Sequence, residues 1–335
     1  MSEILPHAVF DAYMRQHFGA ALGAIEAIGG GQSNPTYFIT VGTQQLVLRK
    51  QPHGPILKGA HAVDRECRVL EALSKTDVPV PKPLLYCADP EIIGTPFYVM
   101  ERIEGRVFHD AALPDLTRDE RTALYSSMAE TLAKLHALDP NEIGLSDFGR
   151  PGNYFERQLA RWSKQWQESS VTSISALDHL IEALVRALPS DDGVVSIVHG
   201  DYRMGNLMIH PTEPRVIGIL DWELSTLGHP LADLGFAAMA WHTTPKDYGG
   251  IEGLDFESLG IPTKDVFVSA YMSHAKNKSP LMPFHIAFAL FRFAVIFVGI
   301  AERARLGNAA GKNAAEIAPL AQRFAEIGLS IMKNG

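Results

Sequence analysis

Short β-branched or apolar runs bounded by polar residues mark two strands early in the chain, Tyr37 to Val41 (YFITV) and Gln45 to Arg49 (QLVLR), separated by the Gly-containing turn Val41-Gly42-Thr43. The period then changes. Val63, Cys67, Leu70 and Leu73 recur at helical spacing and predict a helix from about Ala62 to Leu73. VPVPKPLLY predicts an extended, proline-rich connector, and Thr95 to Met100 (TPFYVM) another strand that runs into Glu101-Arg102-Ile103-Glu104-Gly105. Beyond that glycine the pattern is mainly helical. Thr117-Arg118-Asp119-Glu120 is a capping box, and Leu124, Met128, Leu132 and Leu135 repeat on one face behind it. Gly149 to Leu188, with Trp162 and Trp166, also predicts helix. Two short strands, Val194 to Val198 and Val216 to Leu220, lead into His199 and Asp221, and helices follow from Leu231 onward.

Composition narrows the class. A chain of 335 residues can form two lobes, since single cores stop growing at roughly 250 to 300 residues. Apolar residues at 46% and charged ones at 20% describe a folded enzyme rather than a disordered chain. A net charge of −8 argues against nucleic acid as a partner. Cys67 and Cys87 have no metal-ligand spacing and predict two reduced thiols. The N-terminal stretch lacks the basic-then-apolar order of a signal peptide. Phe284 to Ile300 is apolar enough to suggest a membrane, but it is short of a span of ~20 residues and holds His285 and Arg292, so a buried helix is expected. These readings place the protein in the cytoplasm, away from membranes.

The strongest chemical signal is SIVHGDYRMGNLMIH followed by VIGILDWELSTLGHPLAD. A strand delivers His199-Gly200-Asp201, Asn206 follows five residues after the aspartate, and a second strand ends in Asp221. Phosphoryl transfer needs such a set: a carboxylate beside the acceptor hydroxyl, and oxygen ligands for a Mg²⁺ that neutralises phosphate charge. The Asp-x-x-x-x-Asn spacing with a later metal aspartate is that of protein-kinase catalytic loops.

These motifs resemble those of the aminoglycoside phosphotransferase and choline-kinase group, and more closely the kinase-like domains fused to, or encoded near, acyl-CoA dehydrogenases. GGGQSNPTYFI, QLVLRK, DRECRVLEAL, IIGTPFYVMERIEG, VHGDYRMGNL and ILDWELSTLGHPLADLG match in order along most of the chain. The resemblance implies an α+β, bilobal, protein-kinase-like fold: a small β-rich nucleotide-binding lobe over residues 1–103 and a larger helical catalytic and acceptor lobe over 104–335. It implies Asp201 as catalytic base, Asn206 and Asp221 as magnesium ligands, and Glu223 as either a further metal ligand or a loop support. His199 is expected to be structural, Asp233 to tie backbone amides, and Arg203 to face acceptor or phosphate.

In the first lobe Gly29-Gly30-Gly31-Gln32-Ser33-Asn34 is expected to approach the phosphates of ATP with backbone N–H groups. The following strand should supply a cation. Val47 and Arg49 share one face and Lys50 the other, which favours Arg49, while a one-residue shift would promote Lys50. Glu66 is the expected partner of that cation. Met100, Glu101 and Ile103 resemble the hinge that contacts adenine.

The acceptor is a small molecule with a hydroxyl. Leu254 to Gly335 holds nine Lys or Arg against six Asp or Glu, which tilts away from polycationic aminoglycosides. The resemblance implies a hydroxyacyl-CoA and a link to an acyl-CoA dehydrogenase; aminoglycoside or choline-type acceptors stay open. A nucleotide-binding pseudokinase is the alternative from another class. A protein kinase is disfavoured, because no Asp-Phe-Gly to Ala-Pro-Glu activation segment is seen and the chain passes within about ten residues of Asp221 into the apolar LADLGFAAMA.

Overall fold

The computed structural model describes residues 5–29, 34–54, 61–170, 174–305 and 314–334, with side chains described outside 303–318. By packing, the chain divides into one unit of residues 1–105 with 217–223 and another of 106–216 with 224–335. The crossing falls two residues beyond the expected 103, and the return of 217–223 to the first unit was not anticipated.

The first unit begins with α1 (His7–Phe18), β1 (Leu22–Ala27), β2 (Thr36–Val41) and β3 (Gln44–Lys50). It continues with α2 (Val63–Leu73), β4 (Pro83–Cys87), α3 (Pro90–Ile93) and β5 (Phe97–Glu101). The strands form one antiparallel sheet in the order β1-β2-β3-β5-β4. In that register Arg49 lies opposite Thr36 on β2 and Tyr98 on β5, which places the expected cation at the middle of the sheet. Ile39, Leu46, Leu48, Phe97 and Val99 pack with Phe10 and Met14 of α1. The proline-rich connector ends in an edge strand: Pro83 opens β4, a position where its missing N–H breaks no ladder. The backbone N–H of Ile219 donates to Pro79 O at 2.8 Å, which seats 217–223 in this unit.

The second unit opens with α4 (Arg118–His136), α5 (Tyr154–Gln167) and α6 (Ser175–Arg186). The capping box at Thr117 forms, and Leu124, Met128, Leu132 and Leu135 are all buried. Short strands β6 (Ser196–Val198) and β7 (Leu207–Ile209) follow, and β8 (Val216–Ile219) carries the chain into the first unit. On return come β9 (Thr226–Gly228), α7 (Leu231–Ala238), α8 (Phe256–Leu259), α9 (Lys264–His274), α10 (Pro283–Arg305) and α11 (Ala314–Asn334). β6 and β9 pair antiparallel. Within α10, Pro283–Glu302 is long and apolar enough to cross a membrane, with mean hydropathy 2.2. Yet 78% of the window is buried inside the protein, so it serves as a core helix.

Candidate active site

In the second unit the candidate base sits on a loop held from below. Asp233 on α7 is fully buried; its Oδ2 accepts the His199 N–H at 2.6 Å and its Oδ1 the Gly200 N–H at 2.8 Å. His136, at the end of α4, donates from Nε2 to Asp233 Oδ2 at 3.2 Å, while Tyr271 OH lies 2.8 Å from its Nδ1. An ionised carboxylate only accepts, so this tautomer follows from the partners. Burial works to raise the Asp233 pKa, but the His136 donor, the electrostatic pull of the His136 and His199 rings and the Gly200 amide outweigh it and hold the carboxyl below its ordinary value.

Gly200 takes φ +87°, and a Cβ there would lie 2.8 Å from the Leu224 carbonyl oxygen, so glycine is required at this turn. The Asp201 N–H donates to His199 Nδ1 at 3.1 Å, which makes the buried His199 ring an acceptor that shapes the loop. Asp201 itself keeps a side chain 21% exposed. Asn206, at the end of the tight turn Met204–Asn206, donates from Nδ2 to Asp201 Oδ2 at 2.6 Å and to the Asp201 carbonyl at 2.8 Å. Its Oδ1 therefore carries the lone pairs available to another partner. Arg203 Nε lies 3.4 Å from Asp201 Oδ2.

In the first unit the centre is Glu66, 1% exposed on α2. Arg49 donates from Nε to Glu66 Oε2 at 2.6 Å and from Nη2 to Asp221 Oδ1 at 2.8 Å. Tyr98 OH donates to Glu66 Oε2 at 3.1 Å and Asn34 Nδ2 to Oε1 at 2.5 Å. Burial opposes the Arg49 charge, yet Glu66 and Asp221 more than offset it and raise the pKa. Tyr98 is pushed well up by burial and by Glu66.

Asp221 takes φ +62°, a left-handed backbone that aspartate tolerates better than most residues. The buried Trp222 fixes that turn by donating from Nε1 to Ile219 O at 3.0 Å. Strained backbone of this kind concentrates at functional positions. Glu223, the other candidate metal ligand, is exposed.

Lys50 requires a correction as a phosphate ligand. It alternates with Leu46 and Leu48 on the core face and is fully buried, which lowers its pKa to about 8. Arg49, on the opposite face, is the cation that pairs with Glu66 and Asp221. Asn34, expected in the phosphate loop, is 2% exposed and engages Glu66 and the His61 ring, 3.0 Å from its Oδ1. Its side chain thereby braces α2. Gly30, Gly31, Gln32 and Ser33 lie outside the described residues. Met100 is buried opposite Val47; Glu101 is exposed, with its N–H donating to Lys82 O at 2.9 Å; Ile103 is half-buried. Among the described residues no cluster of three His, Cys, Asp or Glu could hold a metal.

Sequence reasoning missed His136, Tyr271 and Tyr98. None has a local signal: His136 and Tyr98 matter because distant segments place the buried carboxylates of Asp233 and Glu66 beside them, and Tyr271 because it meets the His136 ring.

Comparison with known proteins gives the chain its family. The family model described as "Phosphotransferase enzyme family" matches residues 24–253. Acyl-CoA dehydrogenase family member 11 of Homo sapiens is 40% identical over 349 residues, covering all of this chain; the chain spans 44% of that relative's length. A crystal structure from Ralstonia eutropha JMP134, described as a candidate aminoglycoside phosphotransferase, superposes with TM-score 0.89 at 43% identity, over 98% of this chain and 99% of that one. A thermostable mutant of the aminoglycoside phosphotransferase APH(4)-Ia, solved with AMP-PNP and hygromycin B, shares the fold at TM-score 0.64 and 14% identity, over 97% of this chain and 98% of that one. With the family model spanning well over half of the sequence, the chain belongs to the phosphotransferase enzyme family.

Proposed function

We propose that this chain is a small-molecule kinase that moves the γ-phosphoryl of Mg·ATP onto an alcohol hydroxyl. The observation that carries the reading is the Asp201 carboxylate, part-exposed and held in one orientation by Asn206 on a loop that buried Asp233 ties down. A carboxylate so fixed is suited to accept the proton of an acceptor hydroxyl. Asn206 Oδ1 and the Asp221 carboxylate are hard oxygen donors of the type Mg²⁺ takes, and Glu223 is near enough in sequence to assist. Bound there, the metal would neutralise charge on the phosphate oxygens. Arg49, oriented by Glu66, supplies a fixed positive charge for the phosphates; the backbone near Glu101 and Ile103 would meet the adenine edge.

For the acceptor we propose a hydroxyacyl-CoA, with an acyl-CoA dehydrogenase as functional partner. The likeness to acyl-CoA dehydrogenase family member 11 supports this choice, as does the positive balance of residues 254–335. ADP release from Mg·ATP should require a hydroxylated acyl-CoA in a panel that also holds choline and aminoglycosides, and should vanish in Asp201→Asn. Tight ATP binding with no turnover on any acceptor would favour the pseudokinase.

A further inference from the structure

The second unit encloses a cavity of about 60 Å³ bounded on one side by Arg203, Met204 and Gly205 of the catalytic loop. Its remaining wall is mostly apolar: Tyr125, Met128, Phe236, Met239, Trp241 and Phe293. The wall is braced. Tyr125 and Trp241 meet edge-on with ring centres 5.5 Å apart, Trp241 lies 4.9 Å from Phe267, and its Nε1 donates to Pro262 O at 2.8 Å. The carboxylate of Asp247 also lines it, but accepts from Thr244 N–H (3.1 Å) and Oγ1 (2.8 Å) and lies 3.5 Å from Arg323 Nε. This is a poor lining for a polycation.

A second observation concerns Tyr248. It takes φ +68°, an outlier for a bulky residue, and Gly249 beside it takes φ +75°. The loop is fixed by Gly250 N–H donating to Thr244 O at 3.1 Å and by Gly250 itself, where a Cβ would overlap Thr243. Tyr248 on this strained backbone is 50% exposed as a residue, its ring edge-on to Phe293 and Phe297 at 5.2 and 5.1 Å. Burial gains little from an aromatic residue left half in water. The ring does meet the catalytic loop: the Arg203 guanidinium lies 5.6 Å from its centre, while the same Arg203 reaches Asp201. Strain held at the rim of a cavity is the pattern of a ligand clamp.

We propose that this cavity is an apolar subsite for the acceptor, taking an aliphatic end of about two or three carbons on a molecule whose hydroxyl is offered to Asp201, with Tyr248 as its rim. The assignment rests on the phosphotransfer reading above. The size follows from comparison: an apolar cavity of roughly 150 Å³ holds benzene, so one of about 60 Å³ holds fewer than half as many carbons. Filling it should improve binding about fourfold per methylene, and further carbons should add nothing or clash.

Two readouts test this separately from the chemistry. The first is the methyl resonances of Met128 and Met239, followed during titration with straight-chain primary alcohols of increasing length. Affinity should climb for the first two or three methylenes and then level, and the break should move to longer chains in Met239→Ala and in Phe236→Leu; two variants guard against one failing to fold. The second is kcat/KM on hydroxyacyl acceptors of increasing chain length. It should peak and then fall, the peak should move the same way in both variants, and Tyr248→Ala should raise the acceptor KM several-fold without moving the ATP KM. Turnover indifferent to apolar length, or a peak unmoved in stably folded variants, overturns the subsite while the kinase stands. Methyl shifts with no turnover on any acceptor sink the phosphotransfer reading, and with it the cavity's role as an acceptor site.

Discussion

Replacing Asp233 by asparagine keeps the size of the side chain and removes its charge. In the wild type, one oxygen accepts from His199 N–H and the Nε2 of His136, and the other from Gly200 N–H. An asparagine has one acceptor oxygen, so its NH₂ group must face a backbone N–H in a site with no access to water. At least one buried donor loses its partner, at ~1–3 kcal/mol, and the surviving bonds lose charge assistance. About 3–5 kcal/mol in all is expected, a fall in melting temperature of roughly 10 °C for a unit of this size. Activity should fall further than stability, because a shift of about 1 Å in the adjoining Asp201 costs on the order of 100-fold. The pH dependence has a definite sign. Asp233 has a depressed pKa in the fold, so its contribution is present above the unfolded value of about 3.9 and is lost as pH falls through the folded value. Thermal unfolding of the wild type and Asp233→Asn between about pH 3 and 8 should therefore show a wide gap at neutrality that closes in acid. A gap under about 2 °C at pH 7, or one that persists unchanged in acid, would refute the reasoning.

Other substitutions test the remaining parts. Arg49→Met leaves Glu66 buried without its cation, so a loss of about 3–5 kcal/mol in urea unfolding is expected, together with a fall in activity of at least 100-fold; Arg49→Lys keeps the charge but not the fork that reaches Glu66 and Asp221 together, so its ATP KM should rise about 10-fold. Asn206→Ala removes the proposed metal oxygen and the bond to Asp201 at once: kcat should drop by about 100-fold or more, and half-maximal activity should require more Mg²⁺, whereas an unchanged Mg²⁺ curve would argue against the ligand role. Lys50 has a pKa near 8 in the fold against 10.5 unfolded, so the unfolded chain binds more protons between those values and stability should rise with pH across that window; Lys50→Met should abolish the rise, as read from urea midpoints at about pH 7.5 and 10. Gly200→Ala must either move the Leu224 carbonyl or leave φ +87°, and a protein of normal stability and activity would contradict the account of the loop.

How much of this was legible in the chain varied with how local its cause is. The β-branched and apolar runs YFITV and QLVLR located β2 and β3 within a residue or so, because the glycine turn between them marks where the strands end. The capping box at Thr117 and the apolar face behind it were equally direct. By contrast α1 has Pro6 at its N-cap with no side-chain cap, and buries only Phe10 and Met14, so its pattern is thin. β4 was hidden by prolines that suggest a connector but suit an edge strand. At the site, the spacing of Asp201, Asn206 and Asp221 was plain, and strand alternation put Arg49 on the face that pairs with Glu66 and buried Lys50 on the other. The bond from the Asn34 amide to Glu66 has no local signal, because it joins residues 32 positions apart. The support of Asp233 by His136, 97 residues away, and the strained Tyr248 depend on tertiary packing that no local pattern records.

The central claim is transfer of a phosphoryl group to an acceptor oxygen, and labelled ATP tests it most directly. With the label on the γ-phosphate and hydroxyacyl-CoA as acceptor, the account predicts a labelled phosphate ester on the acceptor, formed by the wild type and absent with Asp201→Asn. Label recovered only as inorganic phosphate, or equal transfer by both proteins, would contradict it.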